Sequence, residues 1–428
     1  MPPSWWAWSW RVRTDEAGLS RGPDSKTTGQ GLFGDWWTGD PLRGKRLATP
    51  PAEVLAEIVD FPGVRLTADQ ADQALNAVAD RLTPTRSLLD RTDFNILALS
   101  GGASGGAYGA GVLTGLSKAG ARPEFAIVTG VSTGALIAPL AFLGSAWDER
   151  LTDSYVGGHA ADLLSIKGFA GGLGAGLFKG EGLEALVWPV IDEVVVEAVA
   201  REHARGRRLL IATTNLDNQK AVIWDMGAIA SRGGEAALQL FRDVMLASAS
   251  VPGLFPAKLF TVEAGGERYQ EMHVDGGVAA PLFLMPDALL HWRSLGQRLR
   301  RGRVYVIVNT VLDPSPRSTP AGVASIMVRG FETMLRFSYR QALSLAAGFC
   351  ARHNLPLSVA SIPTSIDYLN MLKFDTATMR AIFDEAERQA MAGNVWASPS
   401  PEPTGWRGLF RRQPARADID PGPTDVLE

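Results

Sequence analysis

Cysteine is almost missing from this chain: its 428 residues include one, Cys350. An internal disulfide and a cysteine-built zinc centre are therefore excluded. Histidine is scarce too, five in all, with no HExxH or comparable ligand spacing. No metal and no cofactor is expected. The Gly-Lys-Ser/Thr word of a phosphate-binding P-loop is absent. Charge of one sign is in small excess, −3 overall, which leaves no electrostatic footprint for nucleic acid. Charge vanishes altogether between Phe125 and Trp147, a stretch long enough to cross a bilayer. That stretch carries several glycines and Pro139, so a buried strand followed by a buried helix is expected, not a transmembrane segment. The first residues lack a basic leader before their apolar run, so no signal peptide is expected. The expected location is cytoplasmic or peripheral to a membrane.

What the chain does have is glycine in particular places. Residues 130–134 read Gly130-Val131-Ser132-Thr133-Gly134, between the apolar run Phe125-Ala126-Ile127-Val128 and the helix formers Ala135-Leu136-Ile137-Ala138. This is a GxSxG word in a strand–turn–helix setting. A sharp turn there exposes a serine hydroxyl above a sheet, and the flanking glycines let strand and helix approach closely. The bland alternative is a glycine-rich turn of any α/β protein.

A second glycine cluster lies upstream. The apolar strand Ile96–Leu99 runs into Gly101-Gly102-Ala103-Ser104-Gly105-Gly106 and then a helix of small residues. Backbone N–H groups at such a helix start favour negative charge. A phosphate cradle, a dinucleotide turn and an oxyanion hole all suit that arrangement. Gly101-x-x-x-Gly105-Gly106 matches GxGxxG poorly, with no acid about 20 residues on. Beside a nucleophile elbow, the oxyanion hole is the coherent choice. Third comes Val274-Asp275-Gly276-Gly277, an aspartate closing an extended segment, or else an ordinary Asp-Gly turn.

In this order, the three words resemble the patatin-like phospholipase family. LALSGGASGGAYGAGVL is similar to its glycine-rich motif, GVSTGALIAP to its elbow and VDGG to its aspartate motif. Two further stretches agree: Ala247–Pro252 with Phe255-Pro256, and Ala212–Asp217. The resemblance spans roughly residues 93–311. It implies a three-layer α/β/α fold with a mainly parallel central sheet, and a Ser-Asp dyad. Ser132 would be the nucleophile and Asp275 its base. Gly101, Gly102, Ala103 and Ser104 would form the oxyanion hole, supported by Gly105, Gly106, Gly130, Gly134, Gly276 and Gly277. The implied substrate is a phospholipid or other lipid ester. One departure stands out: the family usually carries Arg or Lys where this chain has Gly105.

Two rivals remain. A Ser-His-Asp esterase needs a histidine after the acid, and only His291 and His353 follow Asp275. His273 would share a strand face with Asp275, as a site residue or as a histidine satisfied by hydrogen bonds. A lipid-binding or regulatory protein of weak or no catalysis on the same scaffold is the other rival.

Around the catalytic part, 1–52 reads as a disordered segment rich in tryptophan, alternatively an aromatic membrane anchor. Residues 53–92 read as a helical extension with a capping box at Thr67–Gln70. Gly168–Gly176 is a loop able to shape an acyl pocket or close over it, or else a plain surface loop, and Lys179-Gly180-Glu181-Gly182-Leu183 then opens a helix through Ile191. Strands are expected at Arg208–Thr214 and Arg303–Thr310. Residues 312–396 read as helical and packed on the catalytic part, with an amphipathic helix over 322–349, core-packing or able to meet a membrane, and another over 374–392. Residues 397–428 read as a disordered tail.

Overall fold

The computed structural model describes residues 46–51, 54, 56–67, 95–158, 180–283, 302–314, 316–364, 366, 374–399 and 410–411. All lie in one unit, Arg46–Glu428. Ten strands build the main sheet: β1 Glu57–Ile58, β2 Arg65–Thr67, β3 Asn95–Leu99, β4 Ile127–Gly130, β5 Arg208–Asn215, β6 Lys220–Asp225, β7 Lys258–Ala264, β8 Glu267–Asp275, β9 Arg303–Val308 and β10 Leu357–Ser361. The helices used below are α1 Gly106–Lys118, α2 Thr133–Leu143, α3 Asp148–Val156, α4 Gly180–Val187, α5 Glu193–Ala204, α6 Met226–Ala230, α7 Gly234–Ala249, α8 Val323–His353 and α9 Thr376–Met391.

Layering follows from the strands. Along β3, Leu97 and Leu99 join one apolar cluster, Ile96 and Ala98 another, and all four are fully buried or nearly so. Successive side chains of a strand point to opposite faces, so this strand is covered on both. Helices α1, α2, α5, α7 and α9 contribute to the first cluster, and α8 covers the second through Leu335, Tyr339, Leu343 and Phe349. The result is the expected α/β/α sandwich.

The sheet itself is mixed. Strands β5, β4, β3, β9 and β10 are parallel in that order, whereas β1, β7, β8, β6 and β2 join by antiparallel pairing. Antiparallel hairpins need only short connections, as at β5–β6 and β7–β8. One detail positions the site. β6 runs along one edge of β5 from Leu210 to Asn215. The other edge is shared end to end: β4 pairs with its first half, finishing at Gly130 opposite Ile211, and β8 with its second half, finishing at Asp275 opposite Thr213. Two strands therefore run toward each other along one edge and stop close together.

Some expectations change. Of the stretch 53–92, the described part forms the two edge strands β1 and β2 instead of a helix, because their backbones pair with β7 and β6. The capping-box helix after Thr67 lies outside the described residues, as do most of 1–52, the Gly168–Gly176 loop and nearly all of the tail. Within 312–396, Leu357–Ser361 is a sheet strand between α8 and α9. The helix expected through Ile191 ends at Val187. Asp375 caps α9 by accepting from Thr378 N–H at 2.9 Å.

Helices α1 and α9 pack closely because α1 presents glycine to α9. A Cβ on Gly111 would strike the Phe383 carbonyl, and one on Gly115 would come 2.5 Å from the Glu387 carbonyl oxygen. Gly111→Ala is expected to cost about 1–3 kcal/mol through overpacking, read as a lower urea midpoint with unchanged slope.

Candidate functional site

Ser132 lies two residues beyond the end of β4 and caps α2 with φ 55° and ψ −126°. A non-glycine residue rarely adopts positive φ, and such strain persists only where the surroundings hold it. Here the surroundings are tight. A Cβ at Gly134 would collide with the Leu99 carbonyl oxygen, and one at Gly130 would meet the Gly134 carbonyl at 2.6 Å. The turn closes through Gly134 N–H to the Val131 carbonyl at 2.8 Å. The Ser132 N–H donates to Ser248 Oγ at 3.0 Å, and Ser248 Oγ donates to the Ala212 carbonyl at 2.7 Å. Ser248, on α7, thus ties the turn to β5.

Asp275 closes β8. Its N–H donates to the Ser250 carbonyl at 2.9 Å, and its carbonyl accepts from Thr214 Oγ1 at 2.9 Å. Its carboxylate Oδ1 accepts from the Gly277 N–H at 2.6 Å. The Ser132 hydroxyl lies beside the carboxylate and favours its charged form. It does so without a complete hydrogen bond, since Oδ2 is buried with no partner of normal geometry. Burial pushes the Asp275 carboxyl up to about 7, against the pull of the Ser132 hydroxyl and the Gly277 N–H.

The glycine loop sits against the same serine. Gly102 has φ 152° and Ala103 φ 50°, two successive positive values that bend the chain into the short 3-10 turn Ala103–Gly105. A Cβ at Gly101 would lie 3.1 Å from Ser132 Cβ and 2.9 Å from the Tyr339 hydroxyl of α8. Asn309, at the end of β9, holds the loop: its N–H donates to Ser100 Oγ at 2.9 Å, its Nδ2 to the Ser100 carbonyl at 2.7 Å, and its Oδ1 accepts from Gly109 N–H at 3.1 Å. Gly106 packs against Thr133 and Tyr155. Gly276 packs on the Ala212 carbonyl.

An apolar pocket opens beside Ser132 and Ala103. Leu136, Leu183, Val187, Met245, Phe255 and Met379 are among its walls. Helix α4 supplies two of them, Leu183 and Val187.

The described histidines lie elsewhere. His273 is fully buried, its Nδ1 2.9 Å from Thr213 Oγ1 and its Nε2 3.2 Å from Glu271 Oε2, with Trp224 and Phe260 against its ring. It is a packed strand histidine, not a wall of the site. His203 faces Asp225, and His353 stacks on Phe349. His291 lies outside the described residues. Among the described residues no group of side chains forms a metal site, and no helix is long and apolar enough to cross a membrane.

Sequence reasoning gave no role to Ser248, Asn309 or Tyr339. A serine in the otherwise apolar end of α7, and an asparagine ending the run VYVIVN, were the available signals.

The arrangement defines an α/β protein with a serine on a strained strand–helix turn, a buried aspartate beside it and an apolar pocket. A family model described as patatin-like phospholipase matches residues 97–287, just under half of the chain. No curated protein matches the chain. Among solved structures, VipD from Legionella pneumophila is 12% identical, with a TM-score of 0.38, over 72% of this chain and 68% of its own. Human GIVD cytosolic phospholipase A2 is 12% identical, with a TM-score of 0.28, over 75% of this chain and 54% of its own. Its complex with methyl gamma-linolenyl fluorophosphonate gives 12% identity and a TM-score of 0.32, over 80% of this chain and 66% of its own.

Ser248→Ala leaves two buried backbone groups without their partner. Each such loss costs about 1–3 kcal/mol. The expected result is a melting temperature lowered by several degrees, measured by circular dichroism. Asp275→Asn has the opposite sign at high pH. An acid whose folded pKa is raised contributes stability that is complete below its unfolded value and lost as pH rises through about 7. The Asn variant should therefore match or exceed the wild type in thermal stability at pH 8 and lose that advantage at pH 5.

Proposed function

We propose that the chain hydrolyses lipid carboxylic esters with Ser132 as nucleophile and Asp275 as its base. The family match over residues 97–287 supports a lipid hydrolase. The observation that carries the finer reading is the buried Asp275 carboxyl beside the Ser132 hydroxyl, next to an apolar pocket.

In this reading the acyl chain occupies the pocket behind Ser132 and presents its carbonyl carbon to Oγ. Asp275 accepts the hydroxyl proton as Oγ attacks. The negative charge moves to the carbonyl oxygen, where N–H groups of the Gly101–Ser104 loop would meet it. Losing one such donor typically costs about 10²–10³ in rate. The tetrahedral species collapses, Asp275 returns the proton to the departing alkoxide, and an acyl-Ser132 ester remains. Water then attacks that ester, giving a proton to Asp275, and Asp275 passes it to Ser132 Oγ as the tetrahedral species collapses and the fatty acid leaves. A base with a pKa near the working pH balances availability against proton-accepting strength. An aspartate at its ordinary value of about 3.9 is too weak a base, so burial supplies what a histidine supplies in a triad.

Gly105 leaves this loop without the family's usual cation. The backbone donors do not depend on it.

The test is labelling by a fluorophosphonate, with the adduct mapped by mass spectrometry. An adduct on Ser132 is expected, absent in Ser132→Ala and reduced at least about a hundredfold in Asp275→Asn. Because the base works deprotonated, the labelling rate should rise with pH through a midpoint near 7. A folded protein that takes no label would defeat the reading and turn attention to a non-catalytic lipid-binding role.

A further inference from the structure

Past the ends of β3 and β9, side chains take over the ladder between the two strands. Ser100 N–H still donates to the Ile307 carbonyl at 3.0 Å, as in a regular parallel pair. The next two bonds run through side chains. Asn309 N–H donates to Ser100 Oγ at 2.9 Å, and Asn309 Nδ2 donates to the Ser100 carbonyl at 2.7 Å. Both residues are completely buried. Their partners fix the direction of each bond. A backbone N–H can only donate, so Ser100 Oγ accepts from Asn309 and keeps its own hydrogen to give. It gives that hydrogen to the Gly101 carbonyl, 2.6 Å away. Asn309 Oδ1 accepts from Gly109 N–H at 3.1 Å, and a flipped amide would satisfy neither of its partners.

The Gly101 carbonyl and the Gly102 N–H belong to one planar trans peptide and point in opposite directions. Ser100 holds the carbonyl toward β9, which turns the N–H away from β9. β3 lies between β9 and β4, and Ser132 follows β4, so the N–H is turned to the side of the serine. The two segments are close there: a Cβ on Gly101 would lie 3.1 Å from Ser132 Cβ. Neither glycine has a side chain to set this peptide, and glycine adopts positive and negative φ about equally readily.

We propose that Ser100 is a positioning residue for acyl transfer: its hydroxyl, oriented by Asn309, locks the Gly101–Gly102 peptide with its N–H on the Ser132 side before substrate arrives. Donors held in place in advance cost no reorganisation as the oxyanion forms. A peptide released from the lock turns over at little cost and presents a carbonyl oxygen, which repels the developing charge. Ser100 touches neither substrate nor nucleophile in this scheme. It acts through the backbone of the loop.

The proposal rests on the lipid-ester reading. Its test compares hydrolysis of p-nitrophenyl octanoate by the full-length wild type, Ser100→Cys and Ser100→Ala, each well below its own melting temperature. Cysteine is nearly isosteric but a weak donor, and alanine donates nothing. In Ser100→Ala kcat should fall about a hundredfold, and in Ser100→Cys by a smaller factor. KM should stay within about twofold, because the lock acts in the transition state and not on substrate binding. The pH midpoint near 7, set by Asp275, should not move. Affinity for octyl trifluoromethyl ketone, whose serine adduct carries an oxyanion, should weaken by the same factor as kcat/KM. A folded Ser100→Ala with undiminished kcat, a loss confined to KM, or a displaced pH midpoint would overturn the lock. If Ser100→Ala does not fold, Ser100→Cys decides: kcat lowered at constant KM supports the lock, and unchanged kcat overturns it. An active wild type with an equally active Ser100→Ala removes only the lock. A wild type that neither turns over nor takes the fluorophosphonate removes the hydrolase reading and the lock with it.

Discussion

One edge of one strand organises the site. β5 offers one edge to β6 and divides the other between β4 and β8. Any stretch of a strand edge can pair with only one neighbour, so two strands that share an edge must meet end to end. β4 arrives parallel and β8 antiparallel. Their terminal residues, Gly130 and Asp275, stand opposite Ile211 and Thr213, two positions apart on β5. The chain leaves β4 into a helix and leaves β8 into a short turn, and the space between the two exits is where Ser132 and Asp275 face each other. Separated by more than a hundred residues in sequence, they are brought together by a ladder that neither takes part in alone.

That junction tolerates little extra volume. Gly134 against the end of β3, Gly102 against Asn309 and Gly276 against Ala212 are all contacts of backbone on backbone. The polar groups exposed by such close approach need partners, because an unpaired buried group costs about as much as a hydrogen bond is worth. Ser248 and Asn309 supply them, each bridging two segments. The strain at Ser132 is held by these neighbours, not by its own preference.

The glycine words made the site legible in the sequence because their spacing reflects hard steric limits. A serine between glycines after an apolar strand, and an aspartate before two glycines, have few other uses when they occur together. The two-sided burial of VYVIVN announced the sandwich for the same reason: a strand covered on both faces has no polar alternation. What stayed hidden depends on long-range pairing. Nothing local in Arg65–Thr67 says that it will pair with β6, and helix periodicity competes with a three-residue strand on equal terms. The sharing of the β5 edge leaves no trace in composition, so the sheet reads as more parallel than it is. Ser248 and Asn309 are single polar residues in apolar runs, a pattern that marks a buried bridge only once its partners are known. In the amphipathic stretch at 322–349, periodicity reveals that one face is apolar. It does not reveal that Ile326, Met327, Met334, Phe337 and Leu345 are exposed.

Two carboxylates on β8 show how environment separates structure from chemistry. Glu271 and Asp275 lie four residues apart on one strand and are about equally buried, at 4% and 3% exposure. Burial alone raises both. At Glu271 it is outweighed by hydrogen bonds from His273 and Arg65 and by their charge, and the carboxyl falls to about 2. Arg65 pairs with it from β2, so the N-terminal edge strand is fastened to the sheet by a charge already compensated. At Asp275 the partners are a backbone N–H and a hydroxyl, both neutral, and the carboxyl rises to about 7. A fully compensated carboxylate has no proton affinity to offer at neutral pH, which suits a tie between strands. An undercompensated one retains that affinity, the property required of the proposed base. Among the described residues no cation compensates Asp275, and a lysine or arginine placed within reach of it would turn the proposed base into a second Glu271.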